Sequence, residues 1–220
     1  MAHDTSNLPS DKKPVTMWQS GWNRVRLLSY YVSGTAVFLL GLQIVTGALL
    51  LLHYQPNARE AHASVAAIAT EIPAGWIVRS LHHISANLLV IVVIWHGLRV
   101  LLSKTFRAKR AASYYTGVML LLAVLFMCFT GYLLPWDSLS VSATAVATGL
   151  PGEIPAVGPL ITEFFRAGAS VSSATLSRFF GFHVCLIPMA LAVGFGFHVL
   201  CIRRHSMRRP MGPGNRRRSF

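Results

Sequence analysis

The stretch that decides the fold is residues 76–102, WIVRSLHHISANLLVIVVIWHGLRVLL, which is long enough to cross a lipid bilayer as one helix. About 20 predominantly apolar residues span the hydrocarbon core. The only charged residues in this stretch are Arg79 and Arg99, one near each end. Two of its histidines, His82 and His96, lie at membrane depth, where an ionisable side chain is costly and is a candidate for function. The stretch therefore predicts a membrane-spanning helix that carries functional histidines.

Three further stretches have the same character, and they lie at Leu27–Tyr54, Tyr114–Leu134 and Phe179–Ile202. The whole chain of 220 residues is 53% hydrophobic and 12% charged, whereas a soluble domain carries about 25% charged residues. This composition excludes a disordered chain, and three scattered cysteines exclude a disulfide scaffold. We therefore predict an all-α integral membrane protein whose core is a four-helix bundle. The connection from Pro135 to Arg178 is about 44 residues long, far longer than a usual helix–helix loop. Its amphipathic stretches at about 138–148 and 160–167 are expected to form short helices on the membrane surface.

The basic residues indicate how the bundle is oriented. Lys and Arg number 20 against 7 Asp and Glu, which gives a formal net charge of +13. Most of them lie before the first span, between the second and third spans, and after the fourth. The positive-inside rule then places both termini in the cytoplasm. We expect a cytoplasmic arm at residues 1–26, a membrane domain at 27–202 and a basic cytoplasmic tail at 203–220. The charge therefore requires no nucleic acid, and anionic lipid headgroups are its expected contacts.

Histidine spacing predicts two metal sites at different membrane depths. His82 and His96 are 14 residues apart in the second span, and His183 and His198 are 15 apart in the fourth. At about 100° and 1.5 Å per residue, each pair lies on one helix face with its members roughly 21–22 Å apart. Two facing helices thus offer two bis-histidine sites, which suit six-coordinate haem iron used for electron transfer. Zinc would require its ligands to cluster at one level.

Glycines and arginines near these levels have two interpretations each. Gly34, Gly47, Gly117 and Gly131 lie at the two histidine heights, where a missing side chain would let a flat macrocycle approach the backbone. Ordinary small-residue packing between helices explains them equally well. The two arginines of the second span, each three residues from a histidine, would meet haem propionates or extend to the membrane surface.

The motifs together resemble the cytochrome b family of quinol-oxidising cytochrome bc complexes, over about residues 20–205. They are H-x13-H in the second span, H-x14-H in the fourth, GYLLPWD at 131–137, GLPGEIPAVGPL at 149–160 and SATLSRFFGFH at 173–183. The longer spacing in the fourth span, the aspartate after Pro-Trp and the end of the chain after four spans resemble the short, split form, cytochrome b6.

The resemblance implies a cofactor set and a site. His82 and His183 would ligate an outer haem b, and His96 and His198 an inner haem b. A quinol-oxidation pocket would lie at the outer side, and the segment that would line it includes Tyr132, Pro135, Trp136 and Asp137. From the residue alone, Asp137 is either a proton acceptor or a helix cap.

The resemblance also implies partners. A subunit-IV-like three-helix protein would complete the quinol pocket, and a Rieske iron–sulfur protein and a c-type cytochrome would accept electrons. The complex would be a homodimer in membrane lipid, with quinone as substrate. The pattern departs from the photosynthetic form at Tyr31, which occupies the position of its haem-attaching cysteine. We therefore expect no covalently attached third haem, and a prokaryotic inner membrane as the location.

Besides a haem-free transporter or channel lined by histidines, two other electron-transfer functions remain open at this point. A di-haem b membrane anchor would pass electrons between quinone and an attached dehydrogenase, but it would not need the GYLLPWD segment or the long connection after the third span. A variant of the main hypothesis replaces the Rieske protein by multihaem cytochromes.

Overall fold

The computed structural model describes residues 17–102 and 111–207, with side chains for 31–102 and 111–204. These residues form α-helices and no strand. The helices are α1 (Met17–Leu51), α2 (Ala61–Thr70), α3 (Gly75–Leu102), α4 (Ala111–Leu133), α5 (Ser138–Gly149), α6 (Gly158–Arg166), α7 (Ser173–Gly181) and α8 (Ile187–Met207). Part of the predicted orientation rests on basic residues at 1–16, 103–110 and 208–220, which lie outside the described residues.

Four helical segments of the described chain are long and apolar enough to cross a membrane. They are Tyr31–Leu51, Gly75–Leu102, Ala111–Leu133 and Ser173–Arg204, with mean hydropathies between 1.9 and 2.2. Their positions agree with the four predicted stretches. The first helix begins at Met17, ten residues before the start of the first predicted span.

The fourth span is not a uniform α-helix, because a π-helical segment at Phe182–Leu186 joins α7 to α8. The N–H of Ile187 bonds to the carbonyl of Phe182, five residues back. Pro188 follows at once and supplies no N–H. A π-segment absorbs an extra residue within a helix. It therefore accounts for the spacing of 15 between His183 and His198, against 14 in α3, with both histidines kept on one face.

The helices meet in an apolar core at mid-height. Helix α1 packs on α3, α4 packs on α8, and α3 also contacts α4. Each span contributes to the buried cluster, which consists of Leu39, Leu89, Val124, Ile187 and Leu191. Leu89 lies seven residues from both His82 and His96, so this core separates the two histidine levels. Contacts along the bundle are otherwise sparse, since each span has only 11–17% of its residues buried within the described chain.

The long connection after the third span is folded, as its length indicated. The expected surface stretches at about 138–148 and 160–167 are helices α5 and α6, joined by a 3-10 turn at Leu150–Glu153. Arg166 fastens them, because its guanidinium donates to Thr148 Oγ1 (2.8 Å) and to the carbonyl of Ala145. The sequence did not indicate α2, which has no polar alternation or capping motif to mark it.

A second buried cluster attaches this connection to the bundle. It contains Ala61 of α2, Leu133 at the end of α4, and Leu176 and Phe179 of α7. The α2 helix and the end of α4 are therefore packed together at the end of the spans that carries His82 and His183.

Gly158 tests the packing of the connection. A Cβ there would overlap the carbonyl oxygens of Pro151 and Gly152. We expect Gly158→Ala to destabilise the protein by about 1–3 kcal/mol, the usual cost of overpacking, measured by thermal unfolding in detergent. Gly41→Ala is the matched control, because a Cβ at that position would meet no heavy atom within 4 Å. Equal melting temperatures for both variants would contradict the packing described.

Candidate functional site

The histidines predicted for the outer level, His82 and His183, face each other at a distance that fits one metal ion between them. The ring centroids of His82 on α3 and His183 in the π-segment are 6.4 Å apart, with an interplanar angle of 74°. Bonds between imidazole nitrogen and a transition metal are about 2 Å long, so two imidazoles on opposite sides of one ion have centroids about 6 Å apart. The pairing predicted between the second and fourth spans is therefore present in the fold.

Hydrogen bonds fix the orientation of both outer rings. His82 Nδ1 lies 2.9 Å from Thr46 Oγ1, whose hydroxyl donates to the carbonyl of Leu42. His183 Nδ1 lies 3.0 Å from the carbonyl of Met127 and 3.2 Å from Thr130 Oγ1. A carbonyl only accepts, and the threonine hydroxyls already donate, so Nδ1 carries the proton in both rings. Each Nε2 is left as a lone-pair donor for a metal ion.

The histidines predicted for the inner level, His96 and His198, also have an oxygen atom near Nδ1. His198 Nδ1 lies 2.8 Å from Thr116 Oγ1, which in turn donates to the carbonyl of Ala112. His96 Nδ1 lies 3.4 Å from Ser33 Oγ, the longest of these contacts. Metal-ligating histidines usually donate their other ring N–H to a partner that fixes the tautomer and the ring orientation. All four predicted ligands meet that requirement.

The hydroxyl partners were not identified from the sequence, although a signal for them exists. Each hydroxyl residue directly precedes one of the four glycines: Ser33-Gly34, Thr46-Gly47, Thr116-Gly117 and Thr130-Gly131. Each Ser-Gly or Thr-Gly pair therefore supplies a hydroxyl that contacts an imidazole and, next to it, a backbone position without a side chain.

Three of the four glycines lie against histidine rings. A Cβ would lie 3.2 Å from His82 Cε1 at Gly47, 3.3 Å from His198 Cε1 at Gly117, and 2.6 Å from His183 Cε1 at Gly131. Gly131 therefore allows no side chain without displacing the His183 ring. A Cβ at Gly34 would meet nothing within 4 Å in the described structure.

The two arginines of α3 differ. Among the described residues, Arg99 Nη1 is buried and meets no hydrogen-bond acceptor. A buried unpaired guanidinium nitrogen is costly and fits an anionic group such as a haem propionate. Arg79 is exposed. Within the described chain no three His, Cys, Asp or Glu side chains converge on one point, so the donor set is two imidazoles per level. These residues fit bis-histidine haem b at both levels.

The segment 131–137 comprises the last residues of α4 and a tight turn at 134–137. Tyr132 is 46% exposed, and Pro135 leads into Trp136, whose φ of 51° is left-handed. A bulky residue in that region costs about 1–3 kcal/mol and marks a functional candidate. Asp137 accepts a hydrogen bond from the N–H of Ser140 at 2.7 Å and caps α5, which realises the capping role foreseen for it.

The sequence pattern did not single out a further intramembrane polar residue, Gln43 on α1. Its Nε2 donates to the carbonyl of His82 at 2.8 Å and to Ser85 Oγ at 2.6 Å. Gln43 therefore ties α1 to the helical turn that carries His82.

Comparison with known proteins gives the family. The family described as Cytochrome b/b6/petB matches residues 23–206. The chain belongs to the cytochrome b family. Cytochrome b6 of Stigeoclonium helveticum is 37% identical over 182 residues, which cover 83% of this chain and 85% of that protein. Cytochrome b6 of Trichodesmium erythraeum (strain IMS101) is also 37% identical, covering 83% of this chain and 82% of that protein.

A solved structure, "Hyperthermophilic respiratory Complex III", has the same fold, with a TM-score of 0.77 and 27% identity. The match covers 87% of this chain, but this chain spans only about half (51%) of that one. The predicted family and all-α membrane fold are confirmed. As a cytochrome b, the chain is an integral membrane protein and an electron-transfer subunit of a cytochrome bc-type oxidoreductase, and the family implies b-type haem.

Thr46 tests the hydrogen bonds to the histidines in this cytochrome b. Thr46→Val removes the acceptor for His82 Nδ1 at nearly constant volume. We expect retention of the outer haem to fall on the order of 10-fold, the usual effect of losing such a partner. Haem content per protein, from pyridine haemochrome spectra, is the measurement. Thr35→Val is the control, since that hydroxyl bonds only to the backbone carbonyl of Tyr31. Unchanged haem content in Thr46→Val would count against the role of Thr46.

Proposed function

We propose that this chain carries electrons across the membrane from a quinol-oxidation site on the outer side to the inner side, using two b haems. The observation that supports the proposal best is the pair of histidine levels, each oriented through Nδ1. His82 and His183 would hold the outer haem, and His96 and His198 the inner one. When bound, haem b supplies one-electron redox chemistry, which the protein tunes through ligands, hydrogen bonds and burial.

The residues of the chain would bind and orient the cofactors. The four hydroxyls fix the imidazole tautomers, so each Nε2 is available to iron without loss of a proton. The mid-height core around Leu89 excludes water between the two levels. Arg99 would pair its buried Nη1 with a propionate, and Arg79 at the other end of α3 would do the same at the outer surface.

The quinol pocket would use the turn after α4. Tyr132, Pro135, Trp136 and Asp137 would line it, supported by the strained φ of Trp136 and the partial exposure of Tyr132. Asp137 would accept a proton from quinol. Its Oδ1 already accepts from Ser140 N, so proton uptake there would weaken the cap of α5.

Partners would cover the remaining faces of the bundle. Large apolar side chains are exposed along all spans, for example Phe38 (68%) and Val193 (76%). We propose lipid, quinone, a subunit-IV-like three-helix protein, a Rieske protein, a c-type cytochrome and a second copy of the complex as its contacts. The location would be a prokaryotic inner membrane, with a cytoplasmic arm at 1–26, the di-haem domain at 27–202 and a cytoplasmic tail at 203–220. No covalent third haem is expected at Tyr31.

Replacement of single histidines tests the ligand assignment. We expect His82→Ala or His183→Ala to remove one b haem and to abolish quinol oxidation, because each change removes one of the two imidazoles that would hold that haem. His96→Ala or His198→Ala should remove the other haem. Reduced-minus-oxidised spectra of the purified complex measure both.

The adjacent His83 provides the matched control, since it lies about 100° around the helix from His82 on α3. His83→Ala should keep both haems. Two intact haems in His82→Ala would refute the assignment. A wild-type complex that reduces quinone from an attached dehydrogenase, and never oxidises quinol, would instead support the membrane-anchor alternative.

Reporter fusions test the orientation. Because the positive-inside rule places the termini in the cytoplasm, green fluorescent protein fused after Phe220 should fluoresce. Alkaline phosphatase fused after Ala156, in the long connection, should be active in the periplasm. The opposite result at both sites would invert the proposed topology.

A further inference from the structure

The connection between the first two spans touches the turn at 134–137 through two side chains. Tyr54 Oη donates to the carbonyl of Leu134 at 2.7 Å. His62 Nδ1, on α2, donates to the carbonyl of Pro135 at 3.3 Å. Two consecutive carbonyls are thus held by donors that are 80 and 73 residues away in the sequence. Neither donor belongs to the residues assigned to haem or quinol above.

The turn has few hydrogen bonds of its own at this point. Leu134 N–H bonds to the carbonyl of Gly131 at 3.2 Å, and Trp136 N–H bonds to the carbonyl of Leu133 at 2.9 Å. Pro135 has no N–H to contribute. The left-handed conformation of Trp136 directly follows the two carbonyls held from outside. Such a conformation persists only where the surrounding structure over-determines it.

Packing fixes the ring of Tyr54 and the start of the helix that carries His62. The ring of Tyr54 stacks on Phe180, with centroids 5.7 Å apart and an angle of 27°. Burial raises the pKa of Tyr54, so the phenol keeps its proton and remains a donor. Ala61, next to His62, is fully buried against Leu133 and the rest of the outer cluster. The Tyr54 hydroxyl therefore cannot leave the Leu134 carbonyl without disturbing the stacked ring, and the backbone at His62 is held next to the turn by Ala61.

We propose that Tyr54 and His62 are positioning residues of the quinol-oxidation site, which hold the Leu134 and Pro135 carbonyls and thereby fix the conformation of Trp136. The inference rests on the proposed function for the role of the turn. The connection between the first two spans, which includes α2, would then also shape the pocket. Neither side chain needs to touch quinol for this effect, since a displacement of about 1 Å at a reacting site can cost 100-fold in rate.

The experiment compares variants within the assembled complex. Tyr54→Phe removes one hydroxyl and keeps the stacking on Phe180, and His62→Leu removes the second donor. We expect each to lower kcat of quinol oxidation about 10-fold, with the spectra of the b haems unchanged. His62→Gln keeps a side-chain N–H and should recover most of the rate.

Two controls match these variants. His53→Ala removes an exposed imidazole from the same connection, and Tyr115→Phe removes the hydroxyl of an exposed tyrosine on α4, near the opposite end of the bundle. Both should retain the wild-type rate. A wild-type rate in Tyr54→Phe and His62→Leu would overturn the positioning role, whereas a wild-type complex without quinol oxidation would overturn the proposed function.

Hydrogen–deuterium exchange gives a second measurement that does not depend on turnover. The peptide covering residues 131–137 should exchange faster in both variants than in the wild type, because the turn loses an external hydrogen bond. Unchanged exchange in both would overturn the proposal even in a complex that lacks activity. Haem loss from Tyr54→Phe would leave His62→Leu and its glutamine counterpart to decide the question.

Discussion

The hydrogen bond from a histidine Nδ1 to an oxygen on a neighbouring helix is the interaction on which this structure depends. It occurs at both levels of the bundle. Helix α1 supplies the oxygens for the imidazoles of α3, and helix α4 supplies the oxygens for the imidazoles of the fourth span. An imidazole inside a membrane is costly unless both nitrogens are satisfied. One nitrogen is satisfied by the hydroxyl, and the other is left for the metal. The same bond therefore joins neighbouring helices and prepares the ligand.

The spans contact one another mainly through these hydrogen bonds and through the apolar core at mid-height. Leu39, Leu89, Val124, Ile187 and Leu191 pack between the levels, and the outer cluster closes the end that carries the long connection. Most of the remaining apolar surface faces outward. A subunit built in this way relies on cofactors, lipid and partner proteins for burial that its own residues do not supply, which agrees with membership of a multisubunit complex.

The four candidate ligand histidines could be singled out from the sequence because intramembrane ionisable residues are rare and helical geometry is regular. A spacing of 14 in the second span places His82 and His96 on one face without any tertiary information. The spacing of 15 in the fourth span fits less well, and only the π-segment before Pro188 shows how the face is kept. The glycines were visible too, but the hydroxyls of Ser33, Thr46, Thr116 and Thr130 were not, because helix pairing decides which hydroxyl meets which ring.

The sequence alone determined the class of the molecule: four apolar spans, the side on which positive charge collects, and four histidines at two depths. These are properties of single helices, which follow from hydropathy and a repeat of 3.6 residues per turn. The tertiary structure decided what joins distant segments: the 6.4 Å pair of His82 and His183, the unpaired Arg99 Nη1 and the contacts of Tyr54 and His62 with the turn at 134–137. Such contacts link residues far apart along the chain, and helix periodicity carries no information about which helices become neighbours.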